Sequence, residues 1–235
     1  MESHHKKLIS LSSNSIILGI LLAIVGGYLD AYTFVSRDGV FANAQTGNMV
    51  IFAVKAVNKE WNSAFLYLSP IFAFIIGVLV SEVVKTARSR DLVHSYRRSI
   101  LILECLILFT VGMLPESVPN VVVVVCISFV SSLQISTFNI VENWAYNSTV
   151  TTGNLRTASQ AAYALFIEHN PEAKKQFKDF SLIIFSFLLG ALAGTFFTIY
   201  IGNRSIWIAA GILFIALVLY HRDRGYFRKE IKEAS

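Results

Sequence analysis

The chain has 235 residues, of which 54% are apolar and only 15% charged, and a mean hydropathy of +0.59. A soluble domain carries about 25% charged residues, so composition excludes an ordinary soluble enzyme. The net charge of +5 does not imply nucleic acid as a partner, because the charges cluster between long apolar stretches, as a bilayer demands.

In chain order, six stretches read as membrane spans: about 15–34, 64–84, 99–114, 120–140, 180–201 and 205–220. The third and sixth are short for the roughly 20 residues a span needs, but flanking Arg side chains can snorkel. The first runs into Tyr28-Leu29-Asp30 without a small-residue cleavage site, unlike a signal peptide. Cys105 and Cys126 both fall inside spans and read as small apolar filler. All five His lie outside the spans, so no intramembrane metal cluster, cofactor or catalytic pair is visible. The polar stretches 85–98 and 168–179 read as short connections, and the basic tail 221–235 as a juxtamembrane helix that anchors topology.

A tripeptide recurs between the spans. Thr46-Gly47-Asn48 returns as Thr152-Gly153-Asn154 at an offset of 106, and Arg98-Ser99-Ile100 resembles Arg204-Ser205-Ile206 at the same offset. The apolar run around Gly77 resembles the run around Gly190 at an offset of 113. Three landmarks in one order imply an internal duplication, with pseudo-repeats of about 12–115 and 119–221 in a single membrane domain. Each half reads as a span, a Thr-Gly-Asn element and two further spans.

The elements, about 42–56 and 150–166, are too short or too polar to cross as lipid-facing helices. They are either buried full helices or re-entrant half-helices. Basic residues belong on the cytoplasmic side. If both elements are re-entrant and the N-terminus is inside, sixteen Lys and Arg lie inside, and only Arg37, Lys55, Lys59 and Arg204 lie outside. If both cross, the Arg88–Arg98 loop falls opposite the basic N-terminus and the rule breaks. The sequence thus predicts an all-α membrane protein with six transmembrane helices and two re-entrant or half-helix elements. An odd number of crossings per half makes it an inverted repeat. Both termini are expected in the cytoplasm and the chain in the cell membrane.

Two elements entering from opposite faces approach the midplane, where irregular backbone must line a cavity or be buried in protein. Thr46, Gly47 and Asn48, with Thr152, Gly153 and Asn154, are therefore candidates for a solute pathway. Thr and Asn are expected to cap the following helices, whose N-termini attract anions or carboxylates. A packing and capping role is the competing reading.

Asp30, late in the first span, is a candidate for proton or cation coupling, since intramembrane carboxylates face cavities or partners. The alternative is a carboxylate bonded to nearby backbone or lying near the headgroups. Glu104 in the third span is a candidate proton relay or a buried helix contact. Gln134, with Ser132 and Ser136, falls near where Asp30 maps in the second half, as part of a polar pathway or as interhelical glue. Gly26-Gly27 and Gly190-x3-Gly194 read as close-packing sites. Tyr28, Tyr32, Trp61, Trp144 and Tyr200 suit the membrane interface.

Gly27-Tyr28-Leu29-Asp30-Ala31, Gly39-Val40-Phe41, Gln45-Thr46-Gly47-Asn48-Met49 and the second Thr-Gly-Asn with Leu155 resemble the YoaK-like family of multipass bacterial membrane proteins, the domain of unknown function 1275. The resemblance spans nearly the whole chain. Family members often carry Gln-Asn-Ala where this chain has Gln134-Ile135-Ser136. The resemblance implies a plasma-membrane location and no particular substrate.

The features together favour a small-solute transporter or channel, not an enzyme, with the bilayer and a small solute or ion as partners. A structural or regulatory membrane component is the alternative, and an intramembrane enzyme fits less well because the spans lack His and a second Asp. Homo-oligomerisation stays open.

Overall fold

The computed structural model describes residues 15–86 and 90–233, and the side chains of 15–85 and 96–221. Lys6, Lys7, Arg88 and the first residues of the first pseudo-repeat lie outside the described residues, as do the side chains of the basic tail from Arg222.

Among the described residues eight α-helices account for most of the structure: α1 (Ile16–Ser36), α2 (Gln45–Val57), α3 (Trp61–Thr86), α4 (Arg90–Met113), α5 (Asn120–Thr137), α6 (Thr151–Phe166), α7 (Ala173–Ile201) and α8 (Ile206–Glu233). Ser15 caps α1 by accepting from the Leu18 N–H. A 3-10 turn, Gly202–Ser205, joins α7 to α8. The all-α expectation misses one feature, a hairpin in which Ile140–Val141 pairs antiparallel with Trp144–Ala145. Glu142, in the left-handed region at φ 52°, turns it. The sixth span and the tail form one continuous helix, α8.

Among the described residues four stretches are long and apolar enough to cross a membrane: Ile16–Ser36, Trp61–Lys85, Asn120–Thr137, and Ala173–His221, which runs through α7, the turn and half of α8. Among the described residues α4 is not one of them, because Arg97, Arg98 and Glu104 interrupt its apolar run.

The helices pack in a regular scheme. α1 packs on α7 and α3 on α5; α2 packs on α3 and α6 on α7; α4 packs on α5 and α8 on α1; α4 and α8 pack on each other. Advancing each helix by four positions returns the same scheme. The backbone repeats too. Residues in the left-handed region follow α1 (Asp38), α2 (Lys59), α5 (Glu142) and α6 (His169).

Glycine sets the closest approaches. A Cβ on Gly27 would lie 2.1 Å from the Phe187 carbonyl oxygen, and one on Gly190 would lie 2.1 Å from that of Ile24. Backbone therefore touches backbone along the α1–α7 contact. Gly77 makes the matching contact in the other pair, where a Cβ would overlap Ser132 Oγ of α5. The main core cluster joins α1, α4, α5 and α8 through Leu22, Leu29, Leu108, Ile127 and Leu213.

Candidate functional site

The two Asn residues of the Thr-Gly-Asn elements make one and the same contact. Asn48 is fully buried in the first turn of α2. Its Oδ1 accepts from the Phe41 N–H (3.0 Å), and its Nδ2 donates to the Phe41 carbonyl (2.8 Å). Asn154 stands at the same position of α6: its Oδ1 accepts from the Asn147 N–H (3.2 Å) and its Nδ2 donates to the Asn147 carbonyl (2.6 Å). In each case the amide grips the backbone seven residues upstream and folds the preceding loop against its own helix.

This corrects the expected capping role. Neither α2 nor α6 has a side-chain cap on the residue before its first turn. The α6 loop is instead organised by Asn147, whose Oδ1 accepts from the N–H groups of Thr149 and Val150. This is an Asx turn. The α2 loop is organised by Asp30, whose Oδ1 accepts from the Asn43 N–H at 2.7 Å.

The two loops meet on α1. Asn43 Nδ2 donates to the Gly26 carbonyl, and a Cβ on Gly26 would lie 2.8 Å from Ser148 O and Thr149 Cα. Helix α5 holds both loops from the other side: Ser128 Oγ donates to the Ala42 carbonyl, and Gln134 pairs with Ser148 Oγ at 3.2 Å. The side-chain oxygen of Asn43, itself buried, has no hydrogen-bond donor among the described residues.

A cavity of about 450 Å³ opens where these pieces converge. α1 contributes Gly27, Asp30 and Phe34; the first loop adds Phe41 and Ala44. Thr149 and Val150 come from the second loop, Thr151, Thr152 and Leu155 from the start of α6, and Phe187, Ala191 and Thr195 from α7. Asp30 is only 6% exposed, and among the described residues it is the one acidic side chain on the wall. Leu155 also lines a second cavity of about 400 Å³ between α6 and α7, beside Ser159, Ser181 and Phe185. The two cavities thus adjoin at Leu155.

Of the residues predicted from sequence, the cavity brings together Asp30 and Thr152. Thr46 is exposed, and Gly47 packs against the Phe41 ring. Gly153 faces open space. Glu104 and Gln134 form a separate, fully buried cluster between α4 and α5. The amide orientation that satisfies every partner puts Gln134 Nε2 2.7 and 3.0 Å from the two Glu104 carboxylate oxygens. Gln134 then links Glu104 to Ser148, next to the cavity wall at Thr149. Sequence reading missed Asn43, Asn147, Phe34, Phe41 and Thr195. For Asn147 a signal existed: Asn147-Ser148-Thr149 is a run of turn-forming residues just ahead of a helix.

Buried apolar helices around a partly polar interior define a helical membrane protein. The sequence model of DUF1275, a family of proteins of unknown function, matches residues 18–219, and the chain belongs to that family. No curated protein and no solved structure matches it.

Proposed function

We propose that this chain is a small-solute transporter or channel of the cell membrane, working through the space between its two Thr-Gly-Asn elements. The observation that carries this reading is the cavity bounded by both element loops and by Asp30. A buried carboxylate on a cavity wall is the usual mark of a solute or proton path in a membrane protein.

The topology that goes with it has six crossings, two re-entrant elements and cytoplasmic termini. Contacts between helix ends support it. Arg37, just past α1, donates to Asn120 at the start of α5. Trp207, at the start of α8, donates to the Phe109 carbonyl near the end of α4. Lys175, at the start of α7, pairs with Glu142 just past α5. Each pair shares a membrane face if α2 and α6 return to the side they entered; full crossings would put each pair on opposite faces. Depth agrees as well. Asn43 reaches Gly26, ten residues back from Ser36 along α1. At 1.5 Å per residue that is about 15 Å, half of a hydrocarbon core of about 30 Å. The repeated packing scheme then reads as an inverted repeat, whose halves can exchange conformations and so alternate access. Leu155 stands where the two cavities adjoin on this path.

The test is solute flux into proteoliposomes of the full chain, across a panel of amino acids, amines, carboxylates and inorganic ions. At least one solute should enter saturably, and Asp30→Asn should slow it at least tenfold. If no solute outruns empty liposomes and the chain instead purifies with a stoichiometric membrane partner, the structural or regulatory reading is the right one.

A further inference from the structure

The cavity wall is specific in its chemistry. Among the described residues it carries one carboxylate, Asp30, and no Lys, Arg or His. Three phenyl rings stand on it, and two of them, Phe34 and Phe41, stack with centroids 4.8 Å apart. The remaining polar lining is threonine hydroxyl and the first-turn backbone of α6. Phe34, Val35 and Leu155 at the rim are each more than 40% exposed, so the mouth is apolar.

A small inorganic ion is poorly served by such a wall, since it loses its hydration shell and gains a single carboxylate. An inorganic anion would meet Asp30 with no cationic side chain to balance it. An ammonium group on a compact apolar body matches each feature. Its N–H groups donate to the Asp30 carboxylate, which the loop amides of Ala42 to Ala44 already hold in place on the cavity wall, with the Asn43 N–H at 2.7 Å from Oδ1. Its charge lies near aromatic faces, which attract cations. Its apolar body covers Phe187 and Ala191 and leaves water behind. We infer that the cavity between the two element loops is a binding site for a small organic amine with an apolar body. This rests on the solute-pathway reading above and names the class of solute.

The test is equilibrium binding of radiolabelled phenethylamine to the purified full chain in detergent, with 2-phenylethanol, phenylacetate and sodium chloride as competitors. Saturable binding should be displaced by unlabelled phenethylamine and by none of the other three. Asp30→Asn keeps an oxygen for the Asn43 N–H, so the loop is retained, and affinity should fall at least tenfold. Phe34→Leu, at a half-exposed position, should lower affinity several-fold while the thermal unfolding midpoint holds. The inference is overturned if 2-phenylethanol competes as well as the amine, because the wall then reads only apolar bulk. It is also overturned if phenylacetate competes best, because the α6 N-terminus then dominates, or if folded wild-type protein binds no phenethylamine. Proteoliposomes that move a different solute class while amine binding is absent would leave the transport reading standing and remove only the amine.

Discussion

The two Thr-Gly-Asn elements share a clasp but not a surface. In both, the Asn amide grips the backbone seven residues upstream. Beyond the clasp they diverge. The exposed face of α2 is apolar: Met49, Val50, Val54 and Val57 are each more than half exposed. The exposed face of α6 is mixed: Thr152, Arg156, Ser159 and Gln160 share it with Leu155, Tyr163 and Phe166. One face is suited to lipid and the other to water or protein, because an Arg facing hydrocarbon is costly. What the two elements share is the Asn clasp that folds each loop back against its own helix. What differs is what each half presents beyond that turn, and the polar track on α6 begins at the cavity and runs away from it.

The clasps are the place to break this comparison hardest. Removing either amide leaves a part-buried N–H and a part-buried carbonyl without their partner, at about 1–2 kcal/mol each. Asn48→Ala and Asn154→Ala should each lower stability by about 2–4 kcal/mol, read as a fall in the thermal unfolding midpoint of the detergent-purified chain. Loss in one and tolerance in the other would mean that the repeat is one of sequence and not of mechanism.

The faces give the next largest contrast. In a chain with Cys105 and Cys126 replaced by Ala, Gln160→Cys should react with a water-soluble maleimide at least tenfold faster than Val54→Cys in membranes. Equal rates would erase the distinction between a lipid-facing and a water-facing element.

The smallest effect separates the two glycines. A Cβ on Gly47 would meet the Phe41 ring at 3.1 Å, whereas one on Gly153 meets nothing within 4 Å. Gly153→Ala should be neutral or stabilising by up to about 1 kcal/mol, from helix propensity alone. Gly47→Ala gains the same propensity but pushes on the ring, so it should be the less stable of the pair. The unfolding midpoints of the two variants check the order.

Several of these features were legible in the sequence. Apolar run lengths gave the all-α membrane class, and the short element helices begin and end within a few residues of where hydropathy and polarity placed them. Gly27 and Gly190 read as close-packing positions because small residues have little other use in an apolar helix. The clasp was not legible. Asn48 and Phe41 are seven apart in a loop-to-helix junction, where neither a 3.6-residue nor a 2-residue period applies. The same holds for the cavity walls: Phe34, Phe41 and Thr195 look like ordinary apolar or small residues until α7 is laid against α1. Asp30 stood out because a carboxylate in a span demands a partner, but that partner, a loop N–H thirteen residues on, belongs to tertiary structure.

The central claim is that the two elements return to opposite faces of the membrane and meet in between. Single cysteines at Lys59, just past α2, and Glu168, just past α6, test it directly with an impermeant maleimide on intact cells. The account predicts that Lys59→Cys is labelled from outside, and that Glu168→Cys is labelled only after the membrane is permeabilised. Labelling of both from the same side would contradict it.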